Sequence, residues 1–224
     1  MATVTRAKIP AREFALYQTL REVPGAEFEC ERLVESGDGT VMPLIWARGA
    51  DRETLREAFE RDPSVSDVSL LGEFDDELLY RMHWIDQVYL VFQMVTTLEA
   101  TVIDAYGDEQ WWYLRILFPD RDALSRTNDL CESRGLTFEV VRVREMRGDP
   151  VGRFGLTREQ YEALTMACDR GYFEVPRRTG LDVLADDLDI SHQALSERLR
   201  RGTDVLVQET LLVGPRGALG ESSQ

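Results

Sequence analysis

Leu181 to Arg201, LDVLADDLDISHQALSERLRR, holds the residue types best placed for chemistry in this chain. Leu181, Leu184, Ala185 and Leu188 are spaced for one apolar face of a short helix. Asp189-Ile190-Ser191 reads as a tight turn, with Ile190 plugged between two helices and Ser191 capping the second. In that second helix Leu195 and Leu199 face inward, and Ala194 is small enough for a close helix approach. His192, Gln193, Ser196, Glu197 and Arg200 then face outward, as polar side chains must to read base edges in a groove about 12 Å wide. Arg177, Arg178, Ser191, Arg198 and Arg201 are placed to meet phosphates, Ser191 through the free N–H groups of the helix it caps. The chemistry implied is non-covalent recognition of double-stranded DNA by a helix-turn-helix. A small helical bundle with a solvated polar face is the alternative for the same pattern.

The preceding residues supply a scaffold for that unit. Thr157 and Gln160 form a capping box, and the helix that follows puts Tyr161, Leu164, Ala167 and Cys168 on one side until Gly171 ends it. Pro176 forces an extended turn in the connector YFEVPRRTG. Met146–Gly155, rich in Gly, Pro and charge, reads as a linker. It divides an N-terminal domain, residues 1–150, from a C-terminal all-α domain, residues 151–224.

Residues 1–150 read as α+β. Segments 12–20 and 26–34 alternate as strands around a Pro24-Gly25 turn, and Gly37-Asp38-Gly39 marks another turn. Thr40–Ala47 is a more buried strand, which Pro43 assigns to an edge or an irregularity. Asp51 caps a helix to Arg61 that ends at Asp62-Pro63. Strands follow at 65–71 and 77–84, and 85–97 fits helix and strand alike. A hairpin spans 101–106 and 111–118, Asp120 caps a helix that Gly135 stops, and 136–145 is a strand. VMPLIWA-DRETL-VSDVSLL echoes WWYLRILF-DRDAL-LTFEVVRV, two strand-helix-strand units. Such units suggest a sheet with helices on one face, ferredoxin-like or ACT-like.

Other chemistries find little support. No P-loop, GxGxxG, GxSxG or HExxH pattern is present, and His83 stands alone beside Trp84 in a strand. The Asp75-Asp76-Glu77 and Asp186-Asp187 groups lack His or Cys neighbours that would make a metal site. No catalytic residue, metal or cofactor is therefore expected, and the protein is read as no enzyme. Cys30, Cys131 and Cys168 are far apart, and buried or half-buried thiols are expected. The sequence contains neither a bilayer-spanning apolar run nor a secretory signal, so a cytoplasmic protein without membrane contact is expected. Trp46, Trp84, Trp111 and Trp112 could line a small-molecule pocket, and adjacent Trp111 and Trp112 must place one ring on each face of their strand.

LTREQYEAL, GYFEVPRRTG and ISHQALSERLRR together resemble the helix-turn-helix of haloarchaeal regulators related to the bacterio-opsin activator, over about residues 156–212. More distantly, this region is similar to the promoter-reading domain of sigma factors. EFALYQTL, MPLIW, RMHW and LRILFPDRDAL resemble the domain that accompanies it in the same family. The resemblance implies a DNA-binding transcription regulator whose N-terminal region senses a signal or mediates assembly. The partners it admits are double-stranded DNA, a second copy of the chain, the transcription machinery and a small-molecule effector. A metabolite-binding protein whose helix-turn-helix contacts the transcription machinery is the competing function.

A net charge of -15, with Lys8 the only lysine, resembles proteins of salt-in halophilic archaea. Within Ile190–Gly202, however, Arg198, Arg200 and Arg201 face only Glu197, a basic island in an acidic chain. In concentrated salt, phosphate attraction weakens and weight shifts to base contacts and shape.

Overall fold

Alternating apolar residues build one large antiparallel sheet in the computed structural model, which describes residues 1–35, 41–85, 88, 97–146 and 154–211. The Gly37-Asp38-Gly39 turn, most of 85–97 and linker residues 147–153 lie outside the described set. The chain divides into two compact units, Met1–Glu145 and Met146–Leu212.

The first unit contains eight strands: β1 (Thr3–Pro10), β2 (Glu27–Glu35), β3 (Val41–Arg48), β4 (Val65–Glu73), β5 (Leu78–Trp84), β6 (Thr101–Gly107), β7 (Trp111–Phe118) and β8 (Glu139–Glu145). Helix α1 (Tyr17–Glu22) follows β1, α2 (Arg52–Arg61) joins β3 to β4, and α3 (Arg121–Ser133) joins β7 to β8. The sheet order is β4-β5-β3-β2-β6-β7-β1-β8, and every pairing is antiparallel. Because β3 and β4 both flank β5, they run parallel to each other, and so do β7 and β8 around β1. Helices α2 and α3 therefore each cross over one strand. These are the two units that echo each other in sequence, and they occupy matching places. Read inward from its two edges, the sheet runs β4-β5-β3-β2 and β8-β1-β7-β6. The halves join through a short β2–β6 ladder, from Phe28 opposite Gly107 to Cys30 opposite Ala105.

The pleat sends alternate residues to one core. Val41, Ile45 and Ala47 of β3 and Trp112, Leu114, Ile116 and Phe118 of β7 are buried on one face. Leu20 of α1, Leu55, Ala58 and Phe59 of α2, and Ala123, Leu124 and Cys131 of α3 join the same cluster. Asp51 caps α2 by accepting from the N–H groups of Glu53 and Thr54, and Asp120 caps α3 by accepting from that of Ala123. Asp62, at the end of α2, is buried and accepts from the backbone and hydroxyl of both Thr19 and Ser64. Phe14, Trp84 and Trp112 meet at ring distances of 4.9–5.5 Å, and Trp112 Nε1 donates to the Ala15 carbonyl at 2.9 Å.

The opposite face is half-exposed and mixed. Trp46 packs on Phe74, Arg48 bridges Glu29 and Glu77, and Arg115 pairs with Asp104 at 2.5 Å. Lys8 Nζ sits 4.0 Å over the Trp111 ring and pairs with Glu139. Trp111 and Trp112 thus do face opposite sides.

Several expectations fail. Residues 12–20 are not a strand: Ala11–Glu13 forms a 3-10 turn and Tyr17–Glu22 a helix, entered through Leu16 at φ 61°. Phe14, Leu16 and Leu20 are buried from that turn and helix, which imitates alternation. The real strand lies earlier, at Thr3–Pro10, where Thr3, Thr5 and Ala7 fill buried positions and mute the apolar signal. Pro43 lies on an interior strand. The ladder to β5 keeps one register but skips Met42 and Pro43, between Val41↔Trp84 and Leu44↔Arg81. Cys30 and Cys131 are buried, but Cys168 is exposed.

Candidate nucleic-acid interface

Thr157 opens the second unit by capping α4 (Arg158–Asp169), and the reciprocal Gln160 bond completes the capping box. Ala163 and Ala167 are the buried positions of α4, with Leu164 and Met166 packed beside them, while Cys168 points outward. Of the expected Tyr161–Leu164–Ala167–Cys168 set, Leu164 and Ala167 face the cluster, while Ala163 is buried and Cys168 is exposed.

Gly171 ends this helix at φ 71°. Its carbonyl accepts from the Arg178 N–H at 3.1 Å, and a Cβ there would stand 3.1 Å from the Arg178 side chain. The Tyr172–Gly180 connector is thereby folded back on itself, with a cis Val175–Pro176 bond. Arg177 lies 4.5 Å over the Tyr172 ring, and Arg178 pairs with Glu174 at 2.6 Å.

Helix α5 (Leu181–Asp187) buries Leu184 and Ala185. Asp189 takes φ 51° in the turn, and the Ile190 N–H returns to the Ala185 carbonyl at 3.1 Å. Ile190 packs against the cluster of Leu184, Leu195 and Leu199, as its position in the turn suggests. Ser191 caps α6 (His192–Leu206) by accepting from the Ala194 N–H at 3.1 Å. Leu195, Leu199 and Gly202 are the buried residues of α6. Close helix approach occurs at Gly202, where a Cβ would meet Leu164 Cδ1 at 2.7 Å, and Ala194 is only half-buried.

At about 100° per residue, the buried line of α6 leaves Gln193, Ser196 and Arg200 on one outward stripe. All three are exposed, with no hydrogen bond or ion pair among the described residues. Glu197 and Arg201 border the stripe and pair with each other across one turn. His192 is exposed and lies 3.3 Å from Asp182 of α5. Arg198 is half-buried on the other flank, and its charge helps hold the Glu159 carboxyl below its ordinary value, after the hydrogen bonds at that helix start. Arg177, Arg178 and Ser191 are exposed.

Nine of the ten sequence-selected residues thus separate into an unpaired polar stripe, a set of ion-paired or stacked side chains, and one half-buried arginine, and Ser191 is the helix cap. Tyr172, Asp182 and Gly202 escaped the sequence reading. A glycine inside a helix was the one available signal, since that position costs stability unless something packs against it. Among the described residues no cluster of His, Cys, Asp or Glu could hold a metal ion, and no helix is long and apolar enough to cross a membrane.

Family models match both parts of the chain. Residues 7–153 match the model described as "BAT: GAF and HTH_10 associated domain", and residues 156–208 match "HTH_10: HTH DNA binding domain". A 44-residue stretch is 54% identical to the dimethyl sulfoxide reductase transcriptional activator of Haloferax volcanii, spanning 20% of this chain and 21% of that protein. The chain belongs to the family of bacterio-opsin-activator-like, HTH-10-type transcription regulators.

Proposed function

We propose that this protein is a sequence-specific DNA-binding regulator of transcription. The observation that carries the reading is the exposed, unpaired Gln193–Ser196–Arg200 stripe on a helix whose start is free to approach phosphate. Gln193, Ser196 and Arg200 read bases, with His192 and Glu197 at the margin. Arg177, Arg178, Ser191 and Arg201 meet phosphates, and Arg198 joins them from the flank. The activator from Haloferax volcanii supports this class of function through its shared 44-residue stretch.

In the same reading, residues 151–224 bind DNA and residues 1–150 sense a signal or mediate assembly, without catalysis and within the cytoplasm. Each half of the sheet is taken as a ferredoxin-like unit, with β1 and β5 exchanged between halves, since each half has the order fourth, first, third, second once those strands are traded. A homodimer suits the function, because two half-sites multiply a modest single-site affinity.

The competing reading, contact with the transcription machinery, draws on exposed apolar residues of the same unit. Val175 is 99% exposed, Phe173 53% and Val183 51%. Footprinting on the gene's own upstream region in concentrated salt tests the two. A protected site that vanishes in an Arg200→Ala, Gln193→Ala variant supports DNA reading. Protection unchanged by that variant overturns the assignment of α6.

A further inference from the structure

We propose that the cleft between α2 and the β4–β5 edge of the sheet is a binding site for a small organic acid with an apolar body. The proposal rests on the reading that the N-terminal unit senses a small-molecule effector, and it names where and by what chemistry.

The cleft has a volume of about 430 Å³ and lies wholly within the first unit. That size falls in the range of pockets that take small ligands. Its apolar walls include Phe59, Val65 and Leu70. Tyr80 lines it as well and is only 3% exposed. The Tyr80 hydroxyl is buried with no hydrogen-bond partner among the described residues. An orphaned buried hydroxyl is unfavourable, and natural proteins rarely leave one without a reason. Phe59 packs edge-on against the Tyr80 ring at 5.1 Å. Tyr80 lines the cleft, so in this proposal its hydroxyl donates to an acceptor of the bound ligand.

The charges around the cleft indicate what the acceptor is. Asp62 is fully engaged by Thr19 and Ser64, Asp67 by His83, and Glu60 by Arg56. Arg56 is in turn held between Glu53 and Glu60. Arg52 is different. Among the described residues its one ion pair, to Glu73, is long at 3.8 Å, and the side chain is largely exposed at the cleft. It is also close enough to influence the Tyr80 phenol electrostatically. The cleft therefore offers one weakly committed cation and one uncommitted donor above apolar walls. A carboxylate takes both, and a hydrophobic body fills the rest.

The edge strand is shaped for access. The β4–β5 register shifts between Ser66 and Ser69, and Asp67 adopts φ 50° there. Such bulges re-aim side chains and interrupt pairing where a ligand approaches.

The full-length chain, titrated with phenylacetate and with phenylacetamide, tests the site by calorimetry and by the signal of ring-labelled Tyr80. Phenylacetate is expected to bind once per chain in the millimolar range or tighter, and to shift the Tyr80 signal. Phenylacetamide should bind about tenfold more weakly. Tyr80→Phe, which removes only the orphaned hydroxyl, and Arg52→Gln should each weaken phenylacetate about tenfold. Arg126→Gln, on the exposed side of α3, should leave binding unchanged. Absence of heat and of a Tyr80 shift overturns the proposal, as does equal binding by wild type, Tyr80→Phe and Arg52→Gln. Footprints of the same samples separate the two readings. Loss of acid binding with an intact footprint removes the cleft alone, and a missing footprint with intact acid binding removes the DNA reading alone.

Discussion

Gly202 of α6 packs directly on Leu164 of α4, so close that a Cβ at residue 202 would stand 2.7 Å from Leu164 Cδ1 and 3.3 Å from Gln160 Cβ. The glycine costs helix propensity of about 1 kcal/mol relative to alanine, so its presence marks a crossing that needs no side chain. Gly202→Ala should regain much of that propensity while displacing the Leu164 tip, leaving stability nearly unchanged. Gly202→Val cannot be absorbed so easily and should destabilise the second unit by about 1–3 kcal/mol. Denaturant melts of the two variants check this. Equal stability for Gly202→Val and wild type would show that the helices do not cross here.

The stripe on α6 yields a prediction about sequence preference. Gln193→Ala, Ser196→Ala and Arg200→Ala should each cost about 1–3 kcal/mol on the preferred site. The loss should shrink on unrelated DNA, because the stripe carries no ion pair that holds the fold. Binding curves on matched and scrambled sites measure it, and equal losses on both would argue for general backbone contact.

Arg177 and Arg178 should behave differently from the stripe. Arg177 stacks on Tyr172 and stays pointed outward, while Arg178 is packed over Gly171 and paired with Glu174. Arg177→Ala should weaken all DNA alike and lower the salt slope by about one unit. Arg178→Ala should show this effect and a small loss of thermal stability, from lost packing. Affinity measured across a salt series, with melting curves alongside, distinguishes the two arginines.

Asp104 gives a pH dependence. Burial pushes its carboxyl above the ordinary value, against the opposing pull of Arg115 and Arg6. An acid with a raised folded pKa favours the fold in its protonated form. Its contribution is present below the unfolded value and is lost as pH rises through the folded one. The unfolding free energy of wild type relative to Asp104→Asn should therefore fall as pH rises out of the acid range. Denaturant melts of both proteins across that range test it, and a gap that grows with pH would show that Arg115 outweighs burial.

The helix-turn-helix was legible because each of its devices is local. The Thr157–Gln160 box, the Ser191 cap and the Leu195/Leu199 pair all act within a few residues, and each is formed. Helices α2 and α3 were legible for the same reason, through Asp51 and Asp120. Strand β1 was not, since its buried positions hold Thr3, Thr5 and Ala7, and what makes them a strand is a pair of neighbours more than one hundred residues away. The orphaned Tyr80 hydroxyl was equally invisible, because Tyr80 sits in a strand pattern that fits any buried aromatic. Within the interface, exposure followed helical spacing, while the Arg177–Tyr172 stack and the His192–Asp182 contact depended on how the connector folds back.

The place of β1 between β7 and β8 has a consequence for how the unit comes to be folded. Thr3–Pro10 emerges before the other strands of the unit, yet its two neighbours, Trp111–Phe118 and Glu139–Glu145, are the last of them to emerge. The strand must wait with both edges unpaired until nearly the whole unit has been made, while β2 to β5 can already pair among themselves. Half of the sheet is thus free to assemble on the ribosome and the other half is not. The interval between them is when an unpaired early strand is most exposed to the wrong neighbour.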